Sequence, residues 1–315
     1  MFINNIVLGC PVCIVGIVGN AVNLIVFYKQ GFGDTINVTM FALALSDLSL
    51  LISSLWMNFL SAPWLHRSFL GFEPRDVMLL TGGWPHICFS RITCWITVFI
   101  TFERCLCITL PFKVKQILTP KVVFVAVVWI YFLSFIGISP CYVSFGLMWW
   151  VDPWTNMTYI GSTMMLNEQV FIKNTYLQLS LQFISFVAIV ALTITLVIQL
   201  QQNTKWRASA TTKTEQTGAM SNRDRRIVRM IILITFILIA CFCPGNLLQV
   251  AWLIEPKFST GGVYNNGQMA CWMFAFLMET INSSANVFVY YNMSTKYREI
   301  FQQLFCGKED AKLKR

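Results

Sequence analysis

Seven long, mainly apolar stretches separated by polar segments run along the chain, over residues 6–28, 36–60, 79–106, 122–148, 176–200, 227–254 and 268–291. A helix needs about 20 predominantly apolar residues to cross the ~30 Å hydrocarbon layer of a bilayer, so each stretch is long enough to span it. After the last, Tyr297, Ile300, Phe301, Leu304 and Phe305 recur at spacings of three and four and draw one apolar stripe. That pattern predicts a short helix lying along the membrane surface. The expected architecture is an all-α membrane protein: a seven-transmembrane helix bundle over residues 1–291, then an amphipathic eighth helix and a short cytoplasmic tail over residues 292–315.

Composition agrees with a lipid solvent. Of the 315 residues 56% are hydrophobic and only 12% charged, too apolar for one aqueous core. The net charge of +9 does not point to nucleic acid, because the basic residues alternate with apolar spans. The segment before the first span has no Lys or Arg, which places the N-terminus outside. All of the 23 Lys and Arg except Arg67, Arg75, Arg91, Lys173 and Lys257 then fall in segments on the cytoplasmic side. This asymmetry predicts a multi-pass plasma-membrane protein with a cytoplasmic C-terminus.

The loops add modification sites. Residues 202–222 form a polar third intracellular loop with Thr204, Ser209, Thr211, Thr212, Thr214, Thr217 and Ser221, expected to be mobile and open to phosphorylation. The long outer loop from Trp149 to Asn174 carries Trp149, Trp150 and Trp154, suited to the membrane interface, and a glycosylation sequon at Asn156. Cys306, at the end of the amphipathic helix, is placed for palmitoylation, which would add a second anchor to membrane lipid. The other cysteines lie mostly in spans, where Cys behaves as a small apolar residue. With only His66 and His86, and no HExxH or GxSxG motif, nothing suggests an enzyme. Inverted repeats or broken helices, which a transporter would favour, are not evident.

Polar residues inside spans are costly, about 2.5–3.5 kcal/mol for a mid-bilayer charge, so each needs a reason. They fall at Asn20 in the first span, Leu43 to Asp47 in the second, Glu103, Arg104 and Cys105 at the end of the third, Trp129 in the fourth, Cys241 to Pro244 in the sixth, and Asn282 with Asn286 to Tyr290 in the seventh. In this order and spacing the set resembles the signature positions of rhodopsin-like G-protein-coupled receptors. The run from Glu103 to Lys115 is more narrowly similar to gastropod-type chemosensory receptors. The resemblance implies an extracellular small ligand, a heterotrimeric G protein inside, and regulation by a receptor kinase and arrestin. A neuropeptide or other small hormone is the alternative ligand class. It also implies a switch in which Pro244 hinges the sixth helix, with Asn286 and Tyr290 on the seventh and Arg104 held by Asp224 or by its neighbour Glu103. Asp47, Thr93, Asn282 and Asn286 would surround a sodium ion or, without sodium, bridging waters; no other cofactor is implied.

This chain departs from that pattern in several places. Leu79 stands where the family has its outer cysteine, the second outer loop has no Cys, Val287 replaces the usual Pro, and Phe242 replaces the usual Trp. On the seventh helix Glu279 shares the stripe of Asn282, Asn286 and Tyr290, while Arg91 lies 13 residues before Arg104, about 20 Å outward. Two charges in the outer half of a membrane have to pair with each other, with water or with a ligand, the alternative being an internal bridge or an Arg91 turned toward neighbouring helices. The expected ligand site is therefore His86, Ser90, Arg91, Phe242, Phe276 and Glu279, taking a small polar ligand whose anionic group meets Arg91 and whose donor group meets Glu279.

Overall fold

The computed structural model describes residues 3–62, 64–65, 71–165, 168–209, 222–255 and 264–305. Seven long helices form the bundle: α1 (Cys10–Gln30), α2 (Thr35–Leu60), α3 (Pro74–Thr109), α5 (Pro120–Ser144), α6 (Glu168–Ser209), α7 (Asn222–Ile254) and α8 (Asn265–Met293). A short helix, α4 (Pro111–Ile117), follows α3, and α9 (Thr295–Phe305) follows α8. Proline opens α3, α4 and α5, where its missing N–H costs nothing. Neighbours in sequence pack as neighbours in space, and α8 closes the ring against α1 and α2. The central helix is α3, which touches α2, α5, α6 and α7.

Among the described residues, six helices are long and apolar enough to cross a membrane on length and composition alone: α1 with its N-terminal turn, α2, α3, α5, α6 and α7. The seventh, α8, is 29 residues long. Its hydropathy is lowered by Glu279, Thr280, Asn282, Ser283 and Asn286, every one of them buried. The outward faces are the reverse. Val15 and Val18 on α1 and Phe124, Trp129 and Phe132 on α5 are each about half exposed, an apolar surface that suits hydrocarbon and not water. The chain is an all-α membrane protein with a seven-helix bundle.

Close approach of α1 to α8 depends on glycine. A Cβ on Gly16 would stand 2.1 Å from Ser284 Oγ, and one on Gly19 would stand 2.8 Å from Val287 Cγ1. Small residues at such contacts let helices meet where lipid supplies no hydrophobic drive. At the other end α9 docks through Tyr297, fully buried, whose hydroxyl donates to Asn23 Oδ1 at 2.6 Å. Burial pushes the Tyr297 phenol above its ordinary pKa, so it stays a neutral donor.

Several element boundaries differ from the apolar stretches. The third helix begins at Pro74, outward of Leu79, with a π-helical segment over Leu79–Gly83. The fourth ends at Ser144, because the backbone turns extended at Phe145 and enters a hairpin of β1 (Phe145–Val151) and β2 (Thr158–Met164). Trp150 pairs with Tyr159 and Trp149 with Ile160 across it, the aromatic and β-branched content that suits strands. The fifth helix runs from Glu168 to Ser209, so the segment expected to be a mobile loop from Gln202 starts as helix. Thr211, Thr212, Thr214, Thr217, Ser221 and Cys306 lie outside the described residues.

The hairpin is tied to the outer end of α3 without a disulfide, and the ten described cysteines are free. Asp76 Oδ2 accepts from Ser162 N at 2.8 Å, Glu73 N donates to Ile160 O at 2.8 Å, and Ile160 N donates to Gly71 O at 2.9 Å. Asp76→Ala should therefore loosen the hairpin while reductant does not. The check is limited proteolysis of the purified protein at residues 152–157: cleavage is expected to speed up in Asp76→Ala and to stay at the wild-type rate when reductant is added to wild type.

Candidate functional site

Polar side chains gather at three depths. In the outer half, His86 and Ser90 stand one turn apart on the same face of α3. His86 Nε2 lies 3.1 Å from Glu279 Oε2, and Ser90 Oγ donates to the same oxygen at 2.8 Å. The other ring nitrogen, Nδ1, is 2.9 Å from Ser54 Oγ on α2, which Thr280 Oγ1 approaches at 3.4 Å. The Phe276 ring meets the imidazole edge-on, centroids 4.8 Å apart. His86 is 1% exposed and Glu279 9%, so the pair bridges α3 and α8 away from solvent. Both hydrogen bonds on Glu279 fall on Oε2. Its Oε1 faces Gly245 on α7, 3.7 Å from where a Cβ would sit.

Arg91 goes elsewhere. The sequence left it to pair with Glu279, with water or with a ligand, or to turn toward neighbouring helices; it does the last, its guanidinium donating from Nη1 to Gln178 Oε1 and from Nη2 to Gln178 O at 3.5 Å. Gln178 Nε2 in turn donates to Gly137 O, so Arg91 ties α3 to α6 and α5. Phe242 is buried in an apolar cluster with Cys94, Ile189, Leu238 and Cys241. It sits on the turn of α7 that carries Pro244. Of the six residues expected at the ligand site, the structure brings His86, Ser90, Phe276 and Glu279 together.

The middle layer centres on Asp47, fully buried. Its Oδ1 accepts from Thr93 Oγ1 at 3.0 Å and Ser283 Oγ at 2.9 Å, and its Oδ2 from Asn286 Nδ2 at 2.7 Å. Ser46 Oγ lies 2.9 Å from Thr93 Oγ1. Asn282, expected beside Asp47, does not touch it; Ser283 takes that place. Residues 279, 283, 286 and 290 make as good a helical stripe as 279, 282, 286 and 290, so periodicity could not choose between them. The oxygens of Asn282 and Asn286 are buried without a partner among the described residues. Together with the Asp47 carboxylate and the Thr93 and Ser283 hydroxyls, the Asn286 oxygen makes a hard donor set of the kind a small cation takes. A further chain runs from this layer to α9: Asn20 Nδ2 donates to Ser283 O at 2.8 Å, Asn23 Nδ2 to Asn20 Oδ1 at 3.1 Å, and Tyr297 to Asn23.

At the inner end, Arg104 Nη2 pairs with Glu103 Oε1 at 2.5 Å and donates to Thr35 Oγ1 at 3.4 Å, while Thr35 Oγ1 donates to Glu103. Successive residues on a helix do not normally face each other, and the length of the arginine side chain makes this contact. Asp224 is exposed near the start of α7. Tyr290 is 1% exposed, its ring edge-on to Phe27 at 5.1 Å. Asn156 lies at the hairpin tip, exposed, with φ 55°.

Sequence comparison identifies the bundle. Residues 8–308 match the family described as serpentine type 7TM GPCR chemoreceptor Srw. The match spans nearly the whole chain, and the chain belongs to that family. No curated protein matches it. Membership makes this a multi-pass membrane receptor of the chemosensory G-protein-coupled class, with a G protein and a small ligand as partners in general terms.

The Asp47 geometry gives a direct test. Ser283→Ala removes one of three donors to a buried carboxylate, a loss of about 1.5–3 kcal/mol for a hydrogen bond to a charged group. The apparent melting temperature of the detergent-purified receptor should fall, whereas Ser49→Ala, whose hydroxyl bonds only to Leu45 O on its own helix, should leave it unchanged.

Proposed function

We propose that this receptor binds a small extracellular chemical at the His86, Ser90 and Glu279 cluster and relays the event to a heterotrimeric G protein at the Arg104 end. The observation that carries the reading is Glu279: one carboxylate oxygen is held by two α3 donors, and the other faces α7 one residue from Pro244. A ligand donor or cation that takes this carboxylate changes the α3–α8 link and touches the hinge of α7 in one step. Proline removes a backbone hydrogen bond at that hinge, so the inner half of α7 can swing outward as a unit. Arg104, released from Glu103, then faces the G protein. This is the switch of rhodopsin-like receptors, to which the polar positions are similar, as the run after Glu103 is to gastropod-type chemosensory receptors.

The same reading puts the N-terminus and the hairpin outside, supported by the distribution of Lys and Arg, with Asn156 glycosylated. Palmitate on Cys306 anchors α9, and a receptor kinase and arrestin act on the Ser and Thr residues between α6 and α7. A sodium ion bound by Asp47, Thr93, Ser283 and Asn286 supplies positive charge opposite the central carboxylate, and these residues hold and orient it.

Two measurements test the proposal. In cells expressing the receptor, a panel of small polar chemicals read as calcium or cAMP should yield an agonist. Arg104→Ala is expected to abolish its response and Glu279→Gln to weaken its potency at equal surface expression; full potency in Glu279→Gln rejects the site. Glu103→Gln should raise the basal signal, since it frees Arg104. For the ion, replacing N-methylglucamine chloride by sodium chloride should raise the apparent melting temperature of wild type and leave Asp47→Asn unmoved.

A further inference from the structure

The cavities at the two ends of the bundle differ greatly in size. The outer one, beside His86, Ser54 and Phe276, has a volume of about 20 Å³, room for a single water. The inner one has a volume of about 550 Å³, in the ~300–1,000 Å³ range of small-molecule sites. It lies between α1, α2, α7, α8 and the first turn of α9; among the described residues neither α3 nor α6 lines it, and Arg104 is not in its wall.

Its described lining carries positive charge. Arg226 of α7 and Lys296 of α9 both line it, and none of the described residues in its wall is Asp or Glu. Two donors in its wall are unanswered: the Tyr290 hydroxyl and Gln30 Nε2 are buried without a hydrogen-bond partner among the described residues. Leaving such a donor unpaired costs about 1–3 kcal/mol, so the wall is built for an acceptor. The first turn of α9 adds backbone N–H groups and the positive end of the helix dipole. The rest of the wall is apolar, with Phe27, Ile227 and Met230.

We propose that this cavity binds an anionic phospholipid, its phosphate between Arg226 and Lys296 with Gln30 and Tyr290 as donors, and the start of an acyl chain against Phe27, Ile227 and Met230. The paired chemistry, one anion beside an apolar wall, selects a lipid over a free phosphate. So does the position, level with the amphipathic α9, whose Leu304 and Phe305 are exposed. Such an occupant joins α7 to α1, α8 and α9 and opposes the outward swing of α7. That last consequence rests on the function proposed above; the binding does not.

The test reads binding alone. Detergent-purified receptor is titrated with dioctanoyl phosphatidylglycerol, dioctanoyl phosphatidylcholine or sodium phosphate, and the apparent melting temperature and the lipid retained in native mass spectra are recorded. Phosphatidylglycerol should stabilise the wild type and stay bound, and the other two should not. Arg226→Gln with Lys296→Gln should weaken its apparent affinity by about tenfold or more, the loss of roughly 1.4 kcal/mol of charge-assisted contact. Tyr290→Phe should weaken it less, and Arg298→Gln, on the same helix but off the cavity, should not weaken it. Lys296→Gln alone, at an exposed position, gives the reading if the double variant does not fold. Equal stabilisation by phosphatidylcholine, or undiminished phosphatidylglycerol binding in the charge variants, overturns the proposal. Stabilisation by phosphate alone to the same extent shows a soluble-anion site and overturns the lipid.

Discussion

A carboxylate in the middle of a bilayer has to be surrounded by donors, and that requirement around Asp47 organises the bundle. Hydrocarbon offers no donors, and protein donors arrive from α3 through Thr93 and from α8 through Ser283 and Asn286. Once those faces turn inward, the rest of each helix has its orientation fixed. On α8 the same rotation points Glu279 at α3 and Tyr290 at Phe27. On α3 it carries Ser90 and His86 to Glu279. The glycines of α1 follow, because only a residue without a side chain lets α1 come near enough to α8 for Asn20 to reach Ser283 O.

Much of this was legible in the sequence because the signals are one-dimensional. Span length and apolar content fixed the seven helices, and the stripe on α9 was legible in its spacing. What was not legible is of two kinds. The outer hairpin follows the apolar end of α5 without a break in hydrophobicity, and an apolar run alone does not tell strand from helix. The partner of each polar side chain depends on rotations of less than one residue, which is why Ser283 stands where Asn282 was expected. Long flexible side chains add a further freedom: Arg91 reaches Gln178, a residue no motif singles out, and Arg104 folds back on Glu103. His86, Ser90 and Glu279 were found together because short side chains at helical spacing leave little choice.

The departures from the rhodopsin-like pattern acquire a physical account. Where the rhodopsin-like pattern that the polar positions resemble has a cysteine at the outer end of the third helix, this chain has Leu79, and its hairpin is held by Asp76 and the backbone around Ile160. Such a tether depends on a shared geometry and not on redox state, and it holds the hairpin across the outer end of α3. With Phe242 in place of a larger Trp, the ring before Pro244 packs into an apolar cluster with α3 and α6, and the Phe242 carbonyl accepts from Asn246 Nδ2 at 2.8 Å. The polar neighbour of this stretch is Glu279, whose Oε1 stands 3.7 Å from where a Cβ on Gly245 would be, at ordinary van der Waals distance.

The chain of hydrogen bonds from Tyr297 to Asp47 ties the two ends of this arrangement together. Tyr297 belongs to α9, Asn23 and Asn20 to α1, and Ser283 to α8, so the surface helix is joined to the central carboxyl group through three elements. Each link leaves a buried polar atom unsatisfied if it opens, at about 1–3 kcal/mol. Tyr297 is thus linked to Asp47, and its ring packs on Tyr290 and Phe27 beside the inner cavity. The polar core consequently does more than satisfy its own groups: through Asn20, Asn23 and Ser283 it holds α8 and α9 against α1.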